Sequence, residues 1–143
     1  MTAQGLEVID HTVHTTHEWI NELAQRLDWS SKRSALRLLS VTLHHVRDHL
    51  LIDELAQFSA QFPLLLRGIM FEGWVPKNTP IKERRAAAFI THISDQMEQT
   101  EEYRGSQDIA CVFALLNARI SKGEIEDVLA SLPSSLRDLW PAP

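Results

Sequence analysis

Glu54-Leu55-Ala56-Gln57-Phe58-Ser59-Ala60-Gln61-Phe62-Pro63-Leu64-Leu65-Leu66-Arg67 returns 70 residues later as Glu124-Ile125-Glu126-Asp127-Val128-Leu129-Ala130-Ser131-Leu132-Pro133-Ser134-Ser135-Leu136-Arg137. Glu, Ala, Pro, Leu and Arg recur identically, and Leu55/Ile125, Phe58/Val128 and Phe62/Leu132 exchange like for like. Upstream the same offset pairs Trp19/Phe89, Ile20/Ile90, Leu23/Ile93, Leu39/Ile109, Leu43/Phe113, Val46/Leu116 and Leu50/Ile120 without a gap. A match at one fixed period is the mark of a duplicated structural unit. It predicts an all-α protein of two tandem four-helix units, residues 11–76 and 80–141, inside a single domain spanning 10–141. A four-helix unit of that size is marginal alone, so the two are expected to share one core about an approximate twofold axis.

The rest of the chain agrees with helices throughout. Apolar residues recur with helical period and no period-2 alternation is present. Val13, Thr16, Ile20, Leu23 and Leu27 stripe a first helix, for which Asp10 is the expected N-cap. Ser31 is expected to cap a second helix, whose wide apolar face leaves Arg37, Ser40, His44, Arg47 and Asp48 for the wet side and places it centrally. Pro63 and Pro133 suit the openings of two short helices. Thr79 and Pro80 are expected to cap and open the first helix of the second unit. Ser121-Lys122-Gly123-Glu124 reads as a capping box, which Leu51 at the matching place cannot form.

At 143 residues the chain has the size of one domain and needs no metal or disulfide to bury a core. Its net charge of −5 argues against broad binding to nucleic acid or an anionic membrane. One cysteine, Cys111, suits a reducing compartment and fits a small core residue. The start Met1-Thr2-Ala3-Gln4-Gly5-Leu6-Glu7 lacks the features of a signal peptide, and no apolar run is long enough to span a bilayer. The expectation is a soluble, cytoplasmic protein.

One stretch resembles a known family. Ala60-Gln61-Phe62-Pro63-Leu64-Leu65-Leu66-Arg67-Gly68-Ile69-Met70-Phe71-Glu72-Gly73-Trp74-Val75-Pro76 and the preceding Leu43-His44-His45-Val46-Arg47-Asp48-His49-Leu50 are similar to the bacterial family called "domain of unknown function 2267". The opening Asp10-His11-Thr12-Val13-His14-Thr15-Thr16-His17-Glu18-Trp19 and the closing Gly123-Glu124-Ile125-Glu126-Asp127-Val128 with Leu139-Trp140-Pro141 fit as well. The resemblance implies a compact, all-helical bacterial protein. It assigns no activity, so it carries over no catalytic residue.

The residues that bear chemistry are sparse. His14/His17 and His45/His49 have the one-turn spacing of helical metal ligands. Yet His17-Glu18-Trp19-Ile20-Asn21 has Asn where a zinc-peptidase helix needs its second His. No metal, cofactor or catalytic residue is therefore assigned. Arg67 and Arg137, the matched cations, are expected to be at least half buried against helix-end carbonyls or a carboxylate such as Asp48 or Glu54, with a pair of anion sites as the functional alternative. Lys77, Lys82, Arg84 and Arg85 cluster at the connector, but the following stretch is acidic, so a solvated linker is the simpler account. The chain has no GxSxG, GxGxxG or phosphate-binding loop. The sequence thus points to a non-enzymatic protein-interaction or regulatory module with a protein partner. The alternative is a small-ligand or anion binder, or an enzyme, with a pocket between the units near Arg67, Trp74 and Arg137. Neither nucleic acid nor membrane is expected as a partner, and homo-oligomers stay open.

Overall fold

The computed structural model describes residues 5–143, and all regular structure among them is helical. The order is α1 (Glu7–Leu27), α2 (Lys32–His49), α3 (Ile52–Ser59), α4 (Leu64–Met70), a 3₁₀ turn (Pro76–Asn78), α5 (Ala86–Gln96), α6 (Ser106–Arg119), α7 (Lys122–Ser131) and α8 (Ser134–Arg137). None of these helices is long and apolar enough to cross a membrane.

α1 begins one turn earlier than Asp10 implies. Leu6 occupies the cap position without a side-chain bond, and Asp10 sits within the first turn, where its charge still favours the helix dipole. The helix ends at Asp28, whose left-handed backbone (φ 58°) returns its amide to the carbonyls of Ala24 and Gln25. Ser31 does cap α2, accepting the Ser34 amide. α2 is central as expected: it packs against α1, α4, α5 and α6.

The first helix of the second half departs furthest from expectation. Residues 77–85 lie 70 positions after helical residues of α1, yet they form a turn and an extended connector, and α5 begins only at Ala86. Thr79 does not N-cap α5; it closes the 3₁₀ turn, its amide and hydroxyl both donating to the Pro76 carbonyl. Arg85 precedes α5 with no side-chain cap of its own. Pro76 and Pro80 supply no backbone donor to a helix that would run through them. Further along, Glu83 takes both the backbone and the guanidinium of Arg85, fixing a bend in place of a helical turn.

Across the fold α1 packs on α6, α2 on α5 and α6, α3 on α7, α1 on α4, and α5 on α8. Of the apolar pairs matched at offset 70, all but Ile20/Ile90 are buried at both members, including Leu43/Phe113 and Leu66/Leu136. Buried side chains from Trp19 to Trp140 form one continuous hydrophobic cluster. Phe113 stacks face to face on Trp140 with centroids 4.1 Å apart.

Helix ends in this fold are held by side chains from distant segments. Arg37 of α2 donates to the Gln96 carbonyl at the end of α5, and Arg104 donates to Leu27 O at the end of α1. Arg104 in turn clasps the fully buried Asp108. The Glu102 carboxylate accepts the amides of Ser30 and Ser31 ahead of α2, and these bonds hold its carboxyl below the usual range. Arg47 belongs to this group too. The apolar pattern left it on the wet side, but its guanidinium is buried, binding Asp48 and the carbonyls of Met70 and Glu72.

Candidate functional site

Three segments enclose a cleft of about 470 Å³. The amino-terminal half of α1 supplies Val8, His11, Thr12, Thr15 and Trp19, and the joint between α3 and α4 supplies Gln61, Phe62, Pro63, Leu64 and Arg67. Arg119, the last residue of α6, closes the third side.

The walls are apolar at the base and cationic at the side. Trp19 and Phe62 meet with ring centroids 5.3 Å apart, and Phe62 meets Phe58 edge-on at 4.9 Å. Both cleft aromatics are buried, so they form a rigid floor. The α4 end is pinned to α1 where the Leu65 amide donates to Thr12 Oγ1 at 3.0 Å. Around the mouth Val8, Leu64 and Leu65 are exposed, with Leu6 and Ile9 beside them.

Each cation is positioned by its own partners. Arg67 donates through Nε to Ser59 O and through Nη2 to Ala60 O and Phe62 O, which fastens the end of α3 to α4. Arg119 donates to Glu22, which also receives Arg26. Neither Arg67 nor Arg119 commits its Nη1 to a hydrogen bond among the described residues. A guanidinium held at one edge with donors left over is suited to a carboxylate or phosphate.

Of the three site residues named from the sequence, Arg67 alone lines this cleft. It is half-buried and reaches helix-end carbonyls rather than Asp48 or Glu54. Trp74 packs edge-on against Phe71, 5.1 Å between centroids, with its indole N–H buried and unbonded. Arg137 is exposed on α8, and its guanidinium makes no hydrogen bond or ion pair among the described residues. The two matched arginines thus have different surroundings. Arg119, His11 and Thr12 were not singled out, because nothing local in sequence announces a cleft whose third wall lies 97 residues from Glu22.

The histidines of α2 make structural contacts. His49 Nδ1 meets the carbonyl of His45 at 2.7 Å, and its ring sits edge-on to Phe89. His45 stacks on His92 at 5.9 Å, and burial is the main cause that lowers its pKa. His44 bonds Ile69 O. The i, i+4 spacing of His45 and His49 thus serves a backbone carbonyl and an aromatic contact. At the connector, Arg85 is bound to Glu83, and Ser135 donates to the Arg84 carbonyl, which ties that strand of linker to α8.

Among the described residues, eight helices about one core, with a cleft that is aromatic below and cationic beside, make a helical bundle. The chain belongs to DUF2267, described as an uncharacterized conserved protein family, which it matches over residues 16–139. Comparison with curated proteins returns no match.

Proposed function

We propose that this protein is a non-enzymatic interaction module of the bacterial cytoplasm that docks a segment of a partner protein in the cleft between α1, α4 and the end of α6. The segment carries an acidic side chain or a terminal carboxylate flanked by apolar residues. The observation that carries this reading is the pairing of spare guanidinium donors on Arg67 and Arg119 with an apolar mouth in a chain of net charge −5. A local cationic wall on an acidic protein selects an acidic group, and the exposed Val8, Leu64 and Leu65 add apolar area around it.

The same proposal includes the architecture. Two tandem units, related by an approximate twofold axis, would exchange α1 with α5, α2 with α6, α3 with α7 and α4 with α8. Under that exchange the α1–α6 contact becomes α5–α2, and α1–α4 becomes α5–α8; both members of each pair occur. The α2–α6 and α3–α7 contacts map onto themselves, which supports an axis running between them.

Selection from a random peptide library tests the docking reading. Peptides with Asp or Glu between Leu, Ile or Phe should be enriched on the wild-type protein and lost on Arg119→Glu or Val8→Glu. Enrichment that both variants leave intact would move the docking surface elsewhere. The cleft volume also lies within the small-ligand range, and this favours the second reading, a small anion binder. Thermal stabilisation by phosphate or a short-chain fatty acid, abolished by Arg119→Glu without any peptide enrichment, would select that reading instead.

A further inference from the structure

Glu54 lies in the first turn of α3 and Glu124 in the first turn of α7, at matched positions in the two halves. These helices pack on each other. Carboxylate oxygens of Glu54, Glu124 and Asp127 lie within 4.8 Å of one another. One oxygen of each glutamate, Oε2, is shut off from solvent and receives no donor from another residue. A full capping box would have turned Glu124 back onto the Ser121 amide. Instead that amide donates to Gln61 Oε1, while the Ser121 hydroxyl accepts the Glu124 amide. The Glu124 carboxyl is thereby left to meet Glu54.

The elements packed around the pair carry several charged groups. α3 contributes Asp53 besides Glu54, and α7 contributes Lys122, Glu126 and Asp127. α6, which packs on α7, brings Asp108 bound to Arg104, Arg119 bound to Glu22, and Cys111. No cation among the described residues forms an ion pair with Glu54, Glu124 or Asp127. Two carboxylates so close, partly desolvated and without an ion-paired cation, repel each other, and that repulsion favours keeping a proton on the pair.

We infer that Glu54 and Glu124 share one proton, and that this proton latches α3 to α7 in a pH-dependent way. In the latched form one carboxyl donates its O–H to the other carboxylate. Loss of the proton to solvent leaves two facing negative charges, with Asp127 as a third, and drives the helices apart. Burial first, then the bond to Glu54 and the charges of Glu54 and Asp127, push the Glu124 carboxyl from 4.5 up to about 7. The sign follows from linkage. Between those values the native chain holds a proton that the unfolded chain has released. The contribution is therefore full below about pH 4.5 and is lost as pH rises through about 7. Through Gln61, which both accepts the Ser121 amide and lines the cleft, the latch also touches the binding surface. The inference does not depend on what occupies that cleft.

Hydrogen-exchange mass spectrometry at about pH 6 and about pH 8.5, corrected for intrinsic rates, tests it on wild type, Glu54→Gln and Glu124→Gln. In wild type, protection in residues 52–59 and 122–131 should fall about tenfold at the higher pH, while α1 and α6 hold theirs. Glutamine keeps the volume and a neutral donor, so each variant should retain protection at both pH values. Flat protection in wild type, or an unchanged loss in both variants, would overturn the latch. So would full recovery of protection at the higher pH on adding calcium or zinc in place of the proton, since the carboxylates would then serve a cation.

Discussion

Position 47 and position 117 carry different residues that do the same work, whereas positions 67 and 137 carry the same residue in different circumstances. In the first half the buried Arg47 guanidinium bonds Met70 O at the end of α4 and Glu72 O just beyond it. In the second half Asn117 bonds Pro141 O and Ala142 O, just beyond α8, and accepts the Trp140 indole N–H at 2.7 Å. Glu72 and Ala142 themselves stand 70 apart. Arg67, by contrast, fastens three carbonyls, while Arg137 faces solvent. The two halves thus keep the place of a backbone clamp and let its chemistry vary. Residue identity at matched positions is the poorer guide to role.

The largest effect should come from breaking the Arg47 clamp. Arg47→Ala strands Asp48 without its partner and leaves two carbonyls unmet, which typically costs about 3–5 kcal/mol. Asn117→Ala removes only neutral hydrogen bonds, expected at about 1–2 kcal/mol. Urea unfolding of both variants checks the contrast. Equal losses would mean that charge adds nothing and that the clamp's position alone matters.

Next in size are the paired core residues. Leu43→Ala should cost about 2–5 kcal/mol and Phe113→Ala about 3–5, by cavity formation. Phe113 also loses its stack on Trp140. A Leu43→Ala protein that unfolds with wild type would remove α2 from the centre of the bundle.

These residues also mark how far the sequence could be read. Helices, their order and the buried pairs were legible because helical periodicity records which face is apolar, and a constant offset records it twice. Arg47 was misplaced because periodicity treats every Arg as wet and says nothing of a carbonyl arriving from 23 residues away. The start of α5 was misplaced because Thr79-Pro80 looks like a helix opening on local rules. The chain there instead returns its Ile81 amide to Asp48 O, a contact that only the tertiary fold creates. Of the cleft, Arg67 alone was anticipated, since clefts are made of side chains brought together from distant segments.

The matched arginines give a smaller, sharper contrast. Arg67→Ala should destabilise by about 1.5–3 kcal/mol, the range for hydrogen bonds to a charged group. Arg137→Ala should stay within about 0.5 kcal/mol of wild type, as exposed substitutions do. Thermal melts of the two decide whether shared identity reflects shared structure, and a matching loss in Arg137→Ala would show that it does.

The smallest effect is also the most direct transplant between the halves. Ser121 caps α7 by accepting the Glu124 amide, whereas Leu51 at the start of α3 makes no side-chain cap and is left exposed. The backbones are already alike: φ −58°, ψ 144° at Ser121 and φ −65°, ψ 152° at Leu51. A serine at position 51 would find the Glu54 amide where Ser121 finds that of Glu124. Leu51→Ser should therefore stabilise the protein by about 0.5–1 kcal/mol, and Ser121→Ala should destabilise it by a similar amount. Because Leu51 is exposed, little burial is given up in the exchange. Chemical denaturation of both single variants, under identical buffer and pH, reads the two signs. If Leu51→Ser lowers stability instead, the exposed leucine contributes apolar contact that outweighs the missing cap, and the start of α3 is built on a different principle from the start of α7.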